Sequence, residues 1–229
     1  MNFPYYQIAI ASFDSIFVAL ICLKFLRQYR QTKKENIRDL FLFFFFYFIY
    51  FVFAVTSPFI FINNPNLGWK IGHNVLATFF LFVGIGFLFR LPLSTYFPKI
   101  KIKNIIPILT TIYGALVAMS NYFNSTMPVF AKGVALQNMT PWITYSNTTF
   151  CLLAGGFIAL FFLNGAMESD NKYIRRRSIL FAIASLLVGS AGLYYIPNTF
   201  LITTVLLFCP IGLILIFIGI SYKPRNALD

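Results

Sequence analysis

The chain has 229 residues, 59% of them hydrophobic and only 10% charged, against roughly 25% charged in an ordinary soluble domain. So few charges cannot cover the surface of a soluble protein of this size. The formal net charge of +12 would suggest nucleic acid in a soluble protein; here the basic residues sit where membrane insertion places them, and no nucleic-acid partner is expected.

Crossing a hydrocarbon core of about 30 Å takes roughly 20 apolar residues per helix. The length therefore holds seven spans and no separate soluble domain. The expected fold is an all-α integral membrane protein, one seven-helix bundle over 1–229 with the lipid bilayer as its first partner. The spans are expected at about 5–26, 39–61, 75–97, 104–122, 149–167, 178–196 and 199–221. The first positive charge, Lys24, follows the first apolar stretch instead of preceding it, so that stretch reads as a retained helix and not a cleaved signal. Residues 178–221 are too long for one span at about 1.5 Å per residue, which requires a break near Pro197 and Asn198.

Lys/Arg asymmetry orients the bundle. Lys24, Arg27, Arg30, Lys33, Lys34, Arg38, Arg90, Lys99, Lys101, Lys103, Lys172, Arg175, Arg176, Arg177, Lys223 and Arg225 fall on one side of a seven-span chain, and only Lys70 and Lys132 on the other. An even number of spans would spoil that agreement. The N-terminus is thus expected outside and the C-terminus in the cytoplasm, in the cytoplasmic membrane of a bacterium or archaeon. Trp69, Trp142, Tyr122, Tyr145, Tyr194 and Tyr195 flank the expected outer ends, as interfacial anchors do.

The second span carries Phe41, Phe43, Phe44, Phe45, Phe46, Tyr47, Phe48, Tyr50 and Phe51. Aromatic on every face, it reads as a lipid-facing helix at the bundle's edge. Small residues let helix backbones approach in lipid: Gly84 and Gly86 in the third span, Ala154, Gly155, Gly156 and Gly165 in the fifth, Ser185, Gly189, Ser190, Ala191 and Gly192 in the sixth. Spans three, five and six are expected to form the tight interior. Pro58, Pro92, Pro107 and Pro210 are expected to kink spans two, three, four and seven.

An intramembrane charge is costly and marks function by default. Asp14 lies roughly 13 Å from the outer end of the first span, with Gln7, Ser12 and Ser15 nearby. It reads either as a proton, cation or ligand site or as a packed interior carboxyl. Arg90 lies about 10 Å deeper, too far for direct pairing with Asp14, and is expected to snorkel to the cytoplasmic headgroups. His73, at the outer edge of the third span, reads as a ligand or pH-sensing position or as a solvated interface residue. A small ligand, if there is one, belongs at this outer face. Asn164 and Glu168 fit an ordinary helix end.

Absences narrow the chemistry. Residues 178–221 hold no Lys, Arg, His, Asp or Glu, which excludes a Schiff-base lysine in the last span and a retinal protein. The prolines do not repeat as the triple-helix repeats of small sugar transporters require. No nucleophile–base pair or carboxylate pair lies in the membrane, so no enzyme is expected. One histidine and three cysteines at different depths (Cys22, Cys151, Cys209) argue against a metal centre or a disulfide framework, and no cofactor is expected.

The segment 123–148 is the one large loop. Its stretch Met127, Pro128, Val129, Phe130, Ala131, Val134, Ala135 and Leu136 is too apolar for a solvated loop and is expected at the interface or folded over the outer mouth. Three N-x-[ST] sequons, at Asn124, Asn138 and Asn147, fall within it. They support an outer location more than they support glycosylation.

In topology alone, such an N-out, C-in bundle with short inner loops resembles the membrane-embedded sensory regions of bacterial histidine kinases. It departs from them in carrying no attached cytoplasmic output domain. The resemblance implies a non-enzymatic sensor acting through a protein partner, which would dock on the basic inner loops at Tyr173 to Arg177, notably Arg175, Arg176 and Arg177. The alternatives are a structural or assembly subunit of a larger membrane complex and, more distantly, a small-molecule transporter resting on Asp14 and the proline kinks.

Overall fold

In lipid every backbone polar group must find its partner within the protein, so a long apolar segment crosses as a helix. The computed structural model describes residues 5–60, 64–97, 99–124, 126–131, 134–136 and 139–221. Lys132, the Asn138 sequon, Lys223, Arg225 and the last residue of the expected second span lie outside them. Among the described residues seven helices are long and apolar enough to cross a membrane. They are α1 (Tyr5–Thr32), α2 (Glu35–Ile60), α3 (Asn66–Tyr96), α4 (Ile106–Asn124), α5 (Pro141–Met167), α6 (Lys172–Gly189) and α7 (Thr199–Ser221). A short antiparallel hairpin, β1 (Val129–Ala131) and β2 (Val134–Leu136), joins α4 to α5. The seventh helix starts and ends where expected, and a 3-10 segment, Ser190–Tyr195, leads α6 into the break before it.

Four helices begin earlier than the sequence suggested, α2 and α6 by one to two turns and α3 and α5 by more. The segment before residue 75 is rich in Asn, Gly and Pro, which reads as loop. In the structure Asn64 caps the chain by accepting from the Leu67 amide, and Pro65 takes the first turn, where its missing donor costs nothing. The helix then passes through a π-helical stretch, Lys70–Ala77, before resuming at Thr78. Helix α5 begins at Pro141, eight residues before the expected 149. That shortens the loop and puts Asn147 inside a helix, buried; the sequon there is not in a loop.

Packing closes a ring. Helix α1 lies against α2, α2 against α3, α3 against α5, α5 against α6, α6 against α7, and α7 returns to α1. Helix α4 stands outside the ring, packed on α3. The Lys24 ammonium donates to the Ser221 hydroxyl, so α7 ends beside the basic half of α1. At the opposite end, Gln7 Oε1 accepts from the Ala135 amide at 2.7 Å. Both ends of the described chain thus fit an odd number of crossings.

The aromatic second helix is not at the bundle's edge. Phe43, Phe44, Tyr47, Phe51 and Ala54 are buried in the core, while Phe45, Val52 and Phe59 face outward. Phe44 stacks on Phe25 of α1, with ring centroids 5.5 Å apart, and Phe46 stacks on Phe87 of α3 at 5.9 Å. Aromatic residues on every face serve core and lipid alike, so composition could not tell the two apart.

The expected contact of spans five and six is present and very close. A Cβ added to Gly155 would lie 2.6 Å from the Gly189 Cα and 2.7 Å from the Ser185 carbonyl oxygen. Helix α3 is the most buried of the seven, with Gly84 against Phe43 and Gly86 against Pro107 and Thr110. Gly156 and Gly165 meet nothing. Pro92 and Pro210 lie inside their helices, but Pro107 sits in the first turn of α4, a position that needs no kink.

Candidate functional site

The ring encloses a cavity of about 550 Å³, within the range that takes a drug-sized ligand, roughly 300–1,000 Å³. Its depth is apolar and aromatic: Phe43, Phe44, Leu81, Ile85, Ala154 and Ile158 contribute, and Tyr47, Tyr50 and Tyr195 close its far end. Toward the basic end of the bundle its wall turns polar, with Gln28, Thr32, Asn36, Tyr173, Arg177 and Ser178. Asn171 caps α6 there, its side chain accepting from the Tyr173 and Ile174 amides, which fixes the turn that carries Arg175, Arg176 and Arg177. Arg177 lines the cavity, whereas Arg175 and Arg176 are exposed.

Beside this mouth lies a charge cluster. Arg90, only 9% exposed, places its guanidinium 3.4 Å from Asp39 and 3.6 Å from Glu35. Arg38 lies 3.5 Å from the fully buried Asp39, and Lys103, in the turn leading to α4, donates to Glu35 at 3.1 Å. Arg90 therefore does not snorkel to headgroups. The acidic start of α2 meets it inside the bundle, and a desolvated guanidinium with carboxylates in reach has no reason to leave.

A second cavity of about 50 Å³ lies toward the hairpin end. It brings together Asp14 of α1, Tyr47, Tyr50 and Phe51 of α2, Trp69 and His73 of α3, Tyr194 at the end of α6 and Cys209 of α7. Asp14 is 2% exposed and takes a side-chain hydrogen bond from Cys209, whose sulfur is 3.4 Å from the Tyr47 hydroxyl. The Asp14 Oδ1 has no hydrogen-bond partner among the described residues.

His73 is buried, not a solvated interface residue. The π-helical stretch turns it inward, a local widening often found where a helix must re-aim a side chain. Its ring stacks on Trp69 with centroids 4.8 Å apart, meets Tyr194 at 5.3 Å, and sets Nε2 3.5 Å from the Tyr50 hydroxyl. Trp69, Tyr194 and Tyr195 are accordingly core residues, while Trp142, Tyr122 and Tyr145 are exposed, as anchors would be. The hairpin covers this end: Val134 and Ala135 are buried against Trp69, Tyr194, Ile202 and Val205. This is the cover that the apolar loop composition suggested.

Of the residues singled out in the sequence, Asp14 and His73 share the small cavity, and Arg177 belongs to the large one. Arg90 belongs to neither and joins the charge cluster. Sequence reasoning missed Glu35, Asp39, Lys103, Tyr47, Tyr50 and Cys209. The carboxylates at the start of α2 were the one available signal, since acids preceding an apolar run beside an arginine-rich loop are potential ion-pair partners. Tyr47, Tyr50 and Ala191 line both cavities, which therefore lie back to back across two tyrosines. No family model matches the chain, and neither a curated protein nor a solved structure matches it.

Proposed function

We propose that this chain is a non-enzymatic membrane sensor whose central cavity binds an amphipathic small molecule with an acidic head group. The basic end is read as cytoplasmic from the Lys/Arg asymmetry, in the cytoplasmic membrane of a bacterium or archaeon. The observation that carries the proposal is on one turn of α6. Arg177 lines the cavity mouth, and Arg175 and Arg176 beside it face outward. A ligand whose acyl or ring portion fills the apolar depth sets its acid against Arg177. Any shift of that turn then alters the surface offered to a protein partner at Arg175 and Arg176.

Binding of a fluorescent fatty acid to the purified chain tests this. Ala154→Phe, which fills the cavity wall, should weaken binding at least tenfold with the helical spectrum unchanged. Arg177→Gln should weaken the acid but not a neutral alcohol of the same chain length. Undiminished binding by Ala154→Phe would refute the assignment. Partner docking is tested by Arg175→Glu with Arg176→Glu, which should abolish co-purification of the partner from mild detergent.

One observation favours transport as a second reading: the two cavities meet at Tyr47 and Tyr50, so movement of these rings would join them. Uptake of the labelled amphiphile into vesicles holding the purified chain would favour transport over sensing. The subunit reading rests on the aromatic second helix and the scarcity of interior polar groups; the first support is weaker, because α2 turns Phe43, Phe44, Tyr47 and Phe51 into the core.

A further inference from the structure

A carboxyl group deep in a membrane protein needs a compensating charge, a proton or a full set of hydrogen bonds. Among the described residues two are buried, Asp39 and Asp14. Asp39 lies within ion-pair distance of Arg38 and Arg90. Asp14 has no cationic side chain within that distance among the described residues, and its Oδ1 is unpartnered although it lines a cavity. We propose that the small cavity beside Asp14 binds a small monovalent cation of alkali-ion or ammonium size.

The space suits one. About 50 Å³ exceeds the roughly 10–15 Å³ that a single water-sized particle needs, and is far too small for a drug-sized ligand. The walls suit one as well. Tyr47, Tyr50, Phe51, Trp69 and Tyr194 line the same cavity as the carboxyl group, and aromatic faces attract a desolvated cation through the ring quadrupole. The Tyr47 and Tyr50 hydroxyls add neutral oxygen. The facing groups from each element are Gln7 and Asp14 of α1, the tyrosines of α2, Trp69 and His73 of α3, Tyr194 of the 3-10 segment after α6 and Cys209 of α7. None of them is a Lys or Arg. Gln7 is engaged by the hairpin and His73 by Tyr50 and Asn74. The hairpin packs over this end of the bundle, with Val134 and Ala135 buried against Trp69 and Tyr194.

The inference does not rest on the amphiphile reading: Arg177 plays no part in it, and the two cavities share only Tyr47, Tyr50 and Ala191. The test is thermal unfolding of the full chain in mild detergent at constant ionic strength and pH, with N-methylglucamine chloride replaced stepwise by sodium, potassium or ammonium chloride. At least one of these ions should raise Tm saturably, on the order of 5 °C at full occupancy. Asp14→Asn should remove the rise. Ala54→Leu, which fills the cavity and leaves the carboxyl group in place, should remove it too, and it stands in if Asp14→Asn does not fold. The proposal is overturned if no small cation exceeds N-methylglucamine, if both variants respond like the parent chain, or if a second series in N-methylglucamine chloride at stepped pH moves Tm while no ion does so at constant pH, in which case a proton supplies the charge.

Discussion

The two ends of the bundle bury their carboxylates in opposite ways. At the basic end Asp39 is fully buried but sits among Arg38 and Arg90, and the half-exposed Glu35 ties Arg90 to Lys103. At the hairpin end Asp14 is almost as deeply buried, yet the cavity it lines is shared with a thiol, three phenols, an imidazole and an indole. Charges matched in place act as a clamp, whereas a carboxyl group left open beside a cavity is a receptor for something that arrives. The difference predicts that disrupting the first end costs stability and disrupting the second costs ligand response.

The largest effect should come from Arg90→Ala. It leaves Asp39 buried with Arg38 alone, and breaking such a pair costs about 3–5 kcal/mol. That corresponds to a Tm lower by on the order of 10 °C for a chain of this size, measured by unfolding in detergent. Asp14→Asn, isosteric and without a charged partner to strand, should stay within about 1 kcal/mol of the parent chain. Equal losses in the two variants would break the contrast between clamp and receptor.

Gln7→Ala comes next. It strands the buried Ala135 amide, which donates to the Gln7 side chain, and an unmade buried hydrogen bond costs about 1–3 kcal/mol. The loss should be local, seen as faster proteolysis at the hairpin before global unfolding. Single cysteines read the same cover without a change in stability. Labelling from the aqueous side should be fast at Met127→Cys and Val129→Cys, which are exposed, and slow at Val134→Cys and Ala135→Cys, which are buried. Uniform labelling would mean that the hairpin end stands open and that Asp14 is reached by bulk water.

How much of this could be read from the residues alone differs between the two ends. Hydropathy found all seven long apolar helices but not all of their starts, because lipid leaves a long apolar segment no alternative to a helix while polar first turns read as loop. It placed Asp14 roughly 13 Å deep but left His73 at the outer edge of its span. It could not turn His73 inward, since that depends on a π-helical stretch whose Gly and Asn content looks like loop. The clamp was less legible. Glu35, Asp39 and Lys103 lie near helix ends, where a charge is unremarkable, and only the packing of α2 on α3 and the turn before α4 brings them to Arg90. Nor could the aromatic run of α2 disclose which rings face the cavity, because Phe43 and Phe45 differ in burial but not in chemistry.

Glu35→Gln should have the smallest effect, and it locates the weight of the clamp. The Glu35 side chain is 52% exposed while bridging Arg90 and Lys103, and ion pairs so open to solvent contribute below about 1 kcal/mol. Screening should shrink even that at high salt, whereas the buried Asp39–Arg90 pair should hardly respond. Unfolding of both variants at low and high salt separates the two contributions. A Glu35→Gln loss that rivals Arg90→Ala would shift the clamp to its solvent-facing rim. Asp39 would then be no better compensated than Asp14, and the two ends would differ in accessibility and not in charge matching.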